Sequence, residues 1–251
     1  MRRPYQLMIG RRLVWIGAAL IMIMATASNA SEHEIPVEQL VEALGKTGEP
    51  VTRLHAAERL GQMGIGTESV VSALIHALDS DIDPAVRGRA AQALGLVGTE
   101  MDSGIEALIE ALEWDDSLNV RWRIVEALER LGPTSDEVAS ALVNVLRTDK
   151  FKGVRARAAE ALGSFCPVTE SVVPILTKVL LSNDRPGVRW QAARGLEKCA
   201  VNLQQAKATG AIDALKEALA ALSAQNQPDI WTNAAAVRHV IEDLEQELSR
   251  D

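Results

Sequence analysis

The sequence predicts an all-α, right-handed solenoid of about six two-helix units, and three observations carry that expectation. The first is a 34-residue period. Leu60, Leu94, Leu128, Leu162 and Leu196 are evenly spaced, and so are Arg53, Arg87, Arg121, Arg155 and Arg189. A further register holds Leu40, Leu74, Leu108, Leu142 and Leu176, each followed four residues later by another Leu, from Leu44 to Leu180. The second observation is a pair of apolar stripes per unit at helical spacing. Val71, Leu74, Ile75 and Leu78 form one stripe, and Val86, Ala90, Ala91, Ala93, Leu94 and Val97 the other. The third is composition. Hydrophobic residues make up 47% of the chain but aromatics only 3%, which suits close-packed helices rich in Ala and Leu. A two-helix unit cannot cover both of its stripes, so the units must stack.

Taken in order, residues 1–30 read as a secretory signal peptide. Arg2, Arg3, Arg11 and Arg12 supply a positive start, and "LVWIGAALIMIMA" (13–25) is an apolar run short for a membrane span. Small residues follow, with cleavage expected after Ala27 or Ala30. Removing residues 1–30 deletes four arginines and no acids, so the net charge moves from −8 to −12. That balance argues against a nucleic-acid partner, because neutralising phosphates requires a basic surface. The expected protein is exported, most simply to a periplasm, with no membrane span in its mature chain.

The solenoid is expected over 31–251. Repeats are placed at about 36–65, 66–99, 100–133, 134–167 and 168–201, with a degenerate capping repeat at 208–248. Asp83 before Pro84 is an N-cap followed by a first-turn proline. Gly98 and Gly132 are expected to end second helices. Each Arg of the repeating column lies near the centre of its helix's apolar face, about 20° from the Leu column on a wheel of 100° per residue. An arginine placed there needs a carboxylate.

"DPAVRGRAAQALGLVG" (83–98) resembles the second helix of a HEAT repeat, in particular the short kind found in phycobilisome (bilin) lyases, and the resemblance covers about 36–245. It implies an Asp six residues before each Arg, the two forming a ladder between repeats. Asp81/Arg87, Asp115/Arg121 and Asp149/Arg155 match, whereas Asn183/Arg189 and Thr47/Arg53 depart, so the ladder is expected to weaken at both ends. Repeats of this kind serve bilin lyases, deoxyhypusine hydroxylase, a DNA glycosylase family and many adaptors without catalysis, so the resemblance fixes fold rather than chemistry.

Residues that could carry chemistry are sparse. The iron-binding relatives use His-Glu steps within helices, but His55, His76 and His239 have no Glu following them. No zinc spacing, GxSxG or phosphate loop is present. "DSDID" (79–83) has alternate aspartates, yet Pro84 stands where a calcium loop needs Gly. Neither a metal nor a cofactor is expected. Cys166 and Cys199 stand at the ends of equivalent helices, where a disulfide and two buried thiols are both open.

The expected function is a non-catalytic scaffold or adaptor that binds a protein partner. A bilin-lyase-like enzyme and an envelope assembly factor without a discrete ligand stand as alternatives. Solenoids of this type line their concave surface with second helices. On that face the positions opposite the Leu column hold Trp122, Arg123, Ala156, Arg157, Trp190 and Gln191. The indoles are expected to wall a slot over Ala156, with folding down over the adjacent repeat as the alternative; Trp and Arg are the side chains most enriched in binding hot spots.

Overall fold

The computed structural model describes residues 35–45, 49–97, 102–132, 136–166, 171–182 and 185–202, with isolated positions beyond. Ten α-helices are delimited among the described residues, and no strand. They are α1 (Val37–Gly45), α2 (Pro50–Met63), α3 (Glu68–Ser80), α4 (Pro84–Val97) and α5 (Asp102–Trp114). α6 (Leu118–Leu131), α7 (Asp136–Thr148), α8 (Lys152–Leu162), α9 (Val172–Leu180) and α10 (Pro186–Asn202) follow. A 3₁₀ turn, Gly163–Phe165, extends α8. The leading segment 1–34, Gly98, Asn183 and nearly all of the capping unit lie outside the described residues; Ile212 and Ile241 of that unit are helical and buried. No helix among the described residues is long and apolar enough to cross a membrane.

The described residues from Leu40 onward form one compact unit. Odd-numbered and even-numbered helices make two layers. Second helices α2, α4, α6, α8 and α10 pack each on the next, and each of α3, α5, α7 and α9 packs on the second helix of its own repeat. All fifteen leucines of the three repeating registers are at most 3% exposed. The period therefore reports burial directly, as a stacked array requires.

Close approach of the second helices depends on small residues. A Cβ on Gly95 would lie 2.8 Å from the Ala127 Cα of the next second helix, closer than carbon atoms approach. At Gly64 and Gly132 the need is conformational. Both have positive φ, 64° and 81°, and end α2 and α6, with the Gly132 N–H donating to the Leu128 and Glu129 carbonyls.

The turn between paired helices is built the same way three times. Asp81 Oδ1 accepts the Asp83 N–H at 2.9 Å, Asp115 Oδ1 accepts that of Ser117 at 2.8 Å, and Asp149 Oδ1 accepts that of Phe151 at 2.7 Å. Each is a local aspartate turn that stops the first helix and sets the entry of the second. Asp83 in turn caps α4, accepting the Ala85 N–H at 2.8 Å.

Candidate functional site

The Arg and Asp columns meet in a register one repeat removed from the expected one. Arg53 donates to Asp81 through Nε (2.5 Å) and Nη2 (2.9 Å). Arg87 does the same to Asp115 (2.7 and 3.1 Å), and Arg121 to Asp149 (2.8 and 3.2 Å). Each fork reaches the aspartate 28 residues ahead, in the following repeat. The aspartate six residues behind offers its backbone carbonyl instead: Arg87 Nη1 donates to Asp81 O at 3.1 Å and Arg155 Nη1 to Asp149 O at 2.9 Å, and Arg121 Nη1 donates to Asp115 O.

This register corrects the expected weakening at the N-terminal end. Thr47 lies outside the described residues and has no arginine 28 residues before it in the sequence, while Arg53 is paired forward with Asp81. At the other end, Asn183 is the position that Arg155 would meet, and it lies outside the described residues. Arg189 is 7% exposed, and its Nε has no hydrogen-bond partner. Burial pushes the Asp81 carboxyl up, but the Arg53 hydrogen bond, the Asp83 N–H and the charges of Arg53 and Arg87 hold it below the usual carboxylate range. Arg53 and Arg87 are shifted further toward the charged form, chiefly by the hydrogen bonds they make to Asp81 and Asp115. The charges of Arg53–Asp81, Arg87–Asp115 and Arg121–Asp149 satisfy each other and are largely shielded from solvent, so these pairs tie repeats together.

The exposed side of the second-helix layer is a different surface. Trp122 on α6 is half-buried, with the Arg123 guanidinium 5.1 Å from its ring centre and that of Arg157, on α8, at 5.8 Å. Both distances are within cation–π range. Arg123 also donates to Glu126 (3.0 Å) and Arg157 to Glu160 (3.1 Å). Of the six residues expected here, Trp122, Arg123 and Arg157 come together. Ala156, Trp190 and Gln191 are half-buried on α8 and α10, outside that stack. Trp122 therefore carries guanidinium groups from its own helix and from the second helix of the next repeat.

Glu129 was not singled out in the sequence, yet it joins three repeats. It accepts from Arg157 Nη2 on α8 and, at 2.6 Å, from Lys198 Nζ on α10, 69 residues away. Lys198 also lies 3.7 Å from Glu160. A signal was available: Glu129 stands at the repeat position that holds Gly61, Gly95 and Gly163, where Glu197 is the other carboxylate. A carboxylate there projects over the neighbouring helices where the glycines let them close. Next to Lys198, Cys199 is joined to Cys166 with Cα atoms 5.3 Å apart, inside the range a disulfide spans. The facing helix ends are close here because Gly163 lies against Gly195 and the Lys198 Cβ.

The family model for HEAT repeats matches four overlapping stretches, 17–95, 37–128, 71–163 and 139–236. No curated protein matches. Among solved structures, an engineered protein shares 24% identity at a TM-score of 0.51, covering 83% of this chain and 99% of its own. A designed armadillo repeat protein in complex with the peptide (KR)4 shares 18% at 0.53, covering 82% and 100%. Kap121p shares 16% at 0.58, with 82% of this chain aligned to 25% of that much longer one. These likenesses concern the fold alone. With a 34-residue period, paired helices in two layers and family matches across most of its length, the chain belongs to the HEAT-repeat family.

Proposed function

We propose that the protein is an exported, non-catalytic adaptor that holds a protein partner on its second-helix face, the concave side of the solenoid. The observation that carries this reading is Trp122 with the guanidinium groups of Arg123 and Arg157 against its ring. It is a half-buried aromatic and cationic surface, supplied by two successive repeats and bordered by Glu126, Glu129 and Glu160. Trp190 extends the same face one helix further. Its acids and bases are paired with one another, which suits a binding surface that exchanges ion pairs with a partner better than a reacting centre with a free base or nucleophile. The designed armadillo repeat neighbour is in complex with a peptide, which is consistent with this use of the fold.

Export is supported by the signal-like pattern of residues 1–30 and by the Cys166–Cys199 disulfide, which suits an oxidising compartment. The experiment is site-specific photocrosslinking in an envelope preparation, with the crosslinker at position 191 on the second-helix face, which keeps both indoles, and, separately, at Ser140 on a first helix. A discrete adduct from position 191 that competes with unlabelled protein supports the proposal. Adducts from Ser140 alone, or none from either position, would refute it.

A further inference from the structure

The first-helix layer differs in charge from the second. Helices α3, α5 and α7 together carry eight carboxylates and one Lys or Arg, Arg147. Glu106, Glu110 and Glu113 repeat at i, i+4 and i+7 along α5, are exposed, and form no salt bridge. Like charges at that spacing destabilise a helix, and no i+4 base relieves them. On the second-helix face, by contrast, Arg123, Arg157, Arg194 and Lys198 each reach a glutamate.

The glutamate ridge separates two grooves. One, of about 600 Å³, lies between α3 and α5, and the other, of about 560 Å³, between α5 and α7. Ile75 and Ala107 line the first, and Ile109 and Ala141 the second. Trp114, at the end of α5, lines the first groove and is 46% exposed. Its counterparts in the other repeats are Lys46, Ser80, Thr148 and Ser182. An indole in a column otherwise made of polar residues, left half in water, contributes little to the stacking of repeats.

We propose that these grooves are a second docking surface, and that their occupant is a basic amphipathic helix of a partner protein. Charge complementarity selects that occupant. Lysine or arginine side chains would meet Glu106, Glu110, Glu113 and Glu68, while an apolar stripe would cover Ile75 or Ile109 and Trp114. A helix laid along a 13-residue helix such as α5 has about 20 Å of groove to occupy. The exposed indole face offers a cation a further contact. This surface lies on the other layer from Trp122, so it stands or falls independently of the adaptor reading.

The test titrates the full chain into a fluorescein-labelled peptide of about five helical turns, with Leu at i, i+3, i+4 and i+7 and Lys elsewhere. Anisotropy is read at low and at physiological ionic strength. The same pattern with Glu for Lys, and an oligolysine of equal charge, serve as controls. The expected result is binding of the Lys/Leu peptide alone at physiological salt. Glu106→Lys/Glu110→Lys/Glu113→Lys should weaken it roughly tenfold or more, and Trp114→Ala roughly fivefold. Trp122→Ala/Trp190→Ala should leave it within about twofold. Glu110→Lys alone, with its circular dichroism unchanged, substitutes if the triple variant does not fold. Affinity unchanged by charge reversal would overturn the proposal, as would oligolysine binding equally well, which means attraction by bulk acid alone. So would binding lost in Trp122→Ala/Trp190→Ala but kept in Trp114→Ala, which leaves the adaptor reading standing. Self-association abolished by Trp114→Ala would identify a second copy as the occupant and overturn it too.

Discussion

Replacing Asp115 with Ala probes the ladder where its geometry is most complete. The Asp115 side chain is fully buried and accepts three hydrogen bonds: Arg87 Nε at 2.7 Å, Arg87 Nη2 at 3.1 Å and the Ser117 N–H at 2.8 Å. Its removal leaves the Arg87 guanidinium, on a side chain 12% exposed, with the Asp81 and Ile82 carbonyls and the distant Asp116 carboxylate at 3.4 Å. Breaking a buried pair on one side destabilises by about 3–5 kcal/mol. Asp116 is 90% exposed and can swing toward Arg87, which places the expected loss near the lower end, about 3 kcal/mol. For a chain of this size that corresponds to a fall in Tm of about 6–12 °C.

The register can be tested in the same experiment, by urea unfolding of two double-mutant cycles. Asp115→Ala should couple strongly to Arg87→Ala, by about 1.5–3 kcal/mol. Coupling to Arg121→Ala should be weak, since Arg121 holds the Asp115 backbone carbonyl, which alanine retains. A destabilisation under about 0.5 kcal/mol, the level of an ordinary surface change, would refute the buried ladder. Strong coupling to Arg121 in place of Arg87 would refute the register.

Other predictions follow from single features. Asp81 titrates below its unfolded value of about 3.9, so its stabilisation is full above that pH and is lost as pH falls through the lower folded value. Urea midpoints measured against pH should therefore show wild type and Asp81→Asn converging in acid and diverging toward neutrality. Both cysteines should resist alkylation in the folded, unreduced protein, and reduction should lower stability by about 3–4 kcal/mol for a loop of 33 residues; two reactive thiols would contradict the bridge. Gly95→Val should destabilise by about 1–3 kcal/mol through overpacking against Ala127, as read by thermal denaturation.

The period made most of the fold legible, because every repeat solves the same packing problem with the same residue types. Leu128 and Leu142 are buried for the reason their spacing implies, and Asp83 caps α4 as its place before Pro84 suggests. The ladder's register was not legible. With a strict 34-residue period, an aspartate six behind an arginine and one 28 ahead belong to the same column, and only coordinates separate a carboxylate contact from a carbonyl contact. Thr47 was misread for that reason. A helical wheel also gives a face but no rotamer, so it placed Trp122 and Arg157 on one side without showing the guanidinium over the ring. Trp114 was visible as the one aromatic in a column of polar residues, while Glu129 and Glu197 stand in a column whose other members are glycines.

The central claim is that a protein partner is held on the second-helix face through Trp122 and Trp190. Its most direct test is a binding isotherm for the partner identified by crosslinking, measured on wild type and on Trp122→Ala/Trp190→Ala. The double variant should keep its helical content and lose at least about 2 kcal/mol of binding, the size of a hot-spot truncation and roughly thirtyfold in Kd. An equal Kd for a folded double variant would contradict the account.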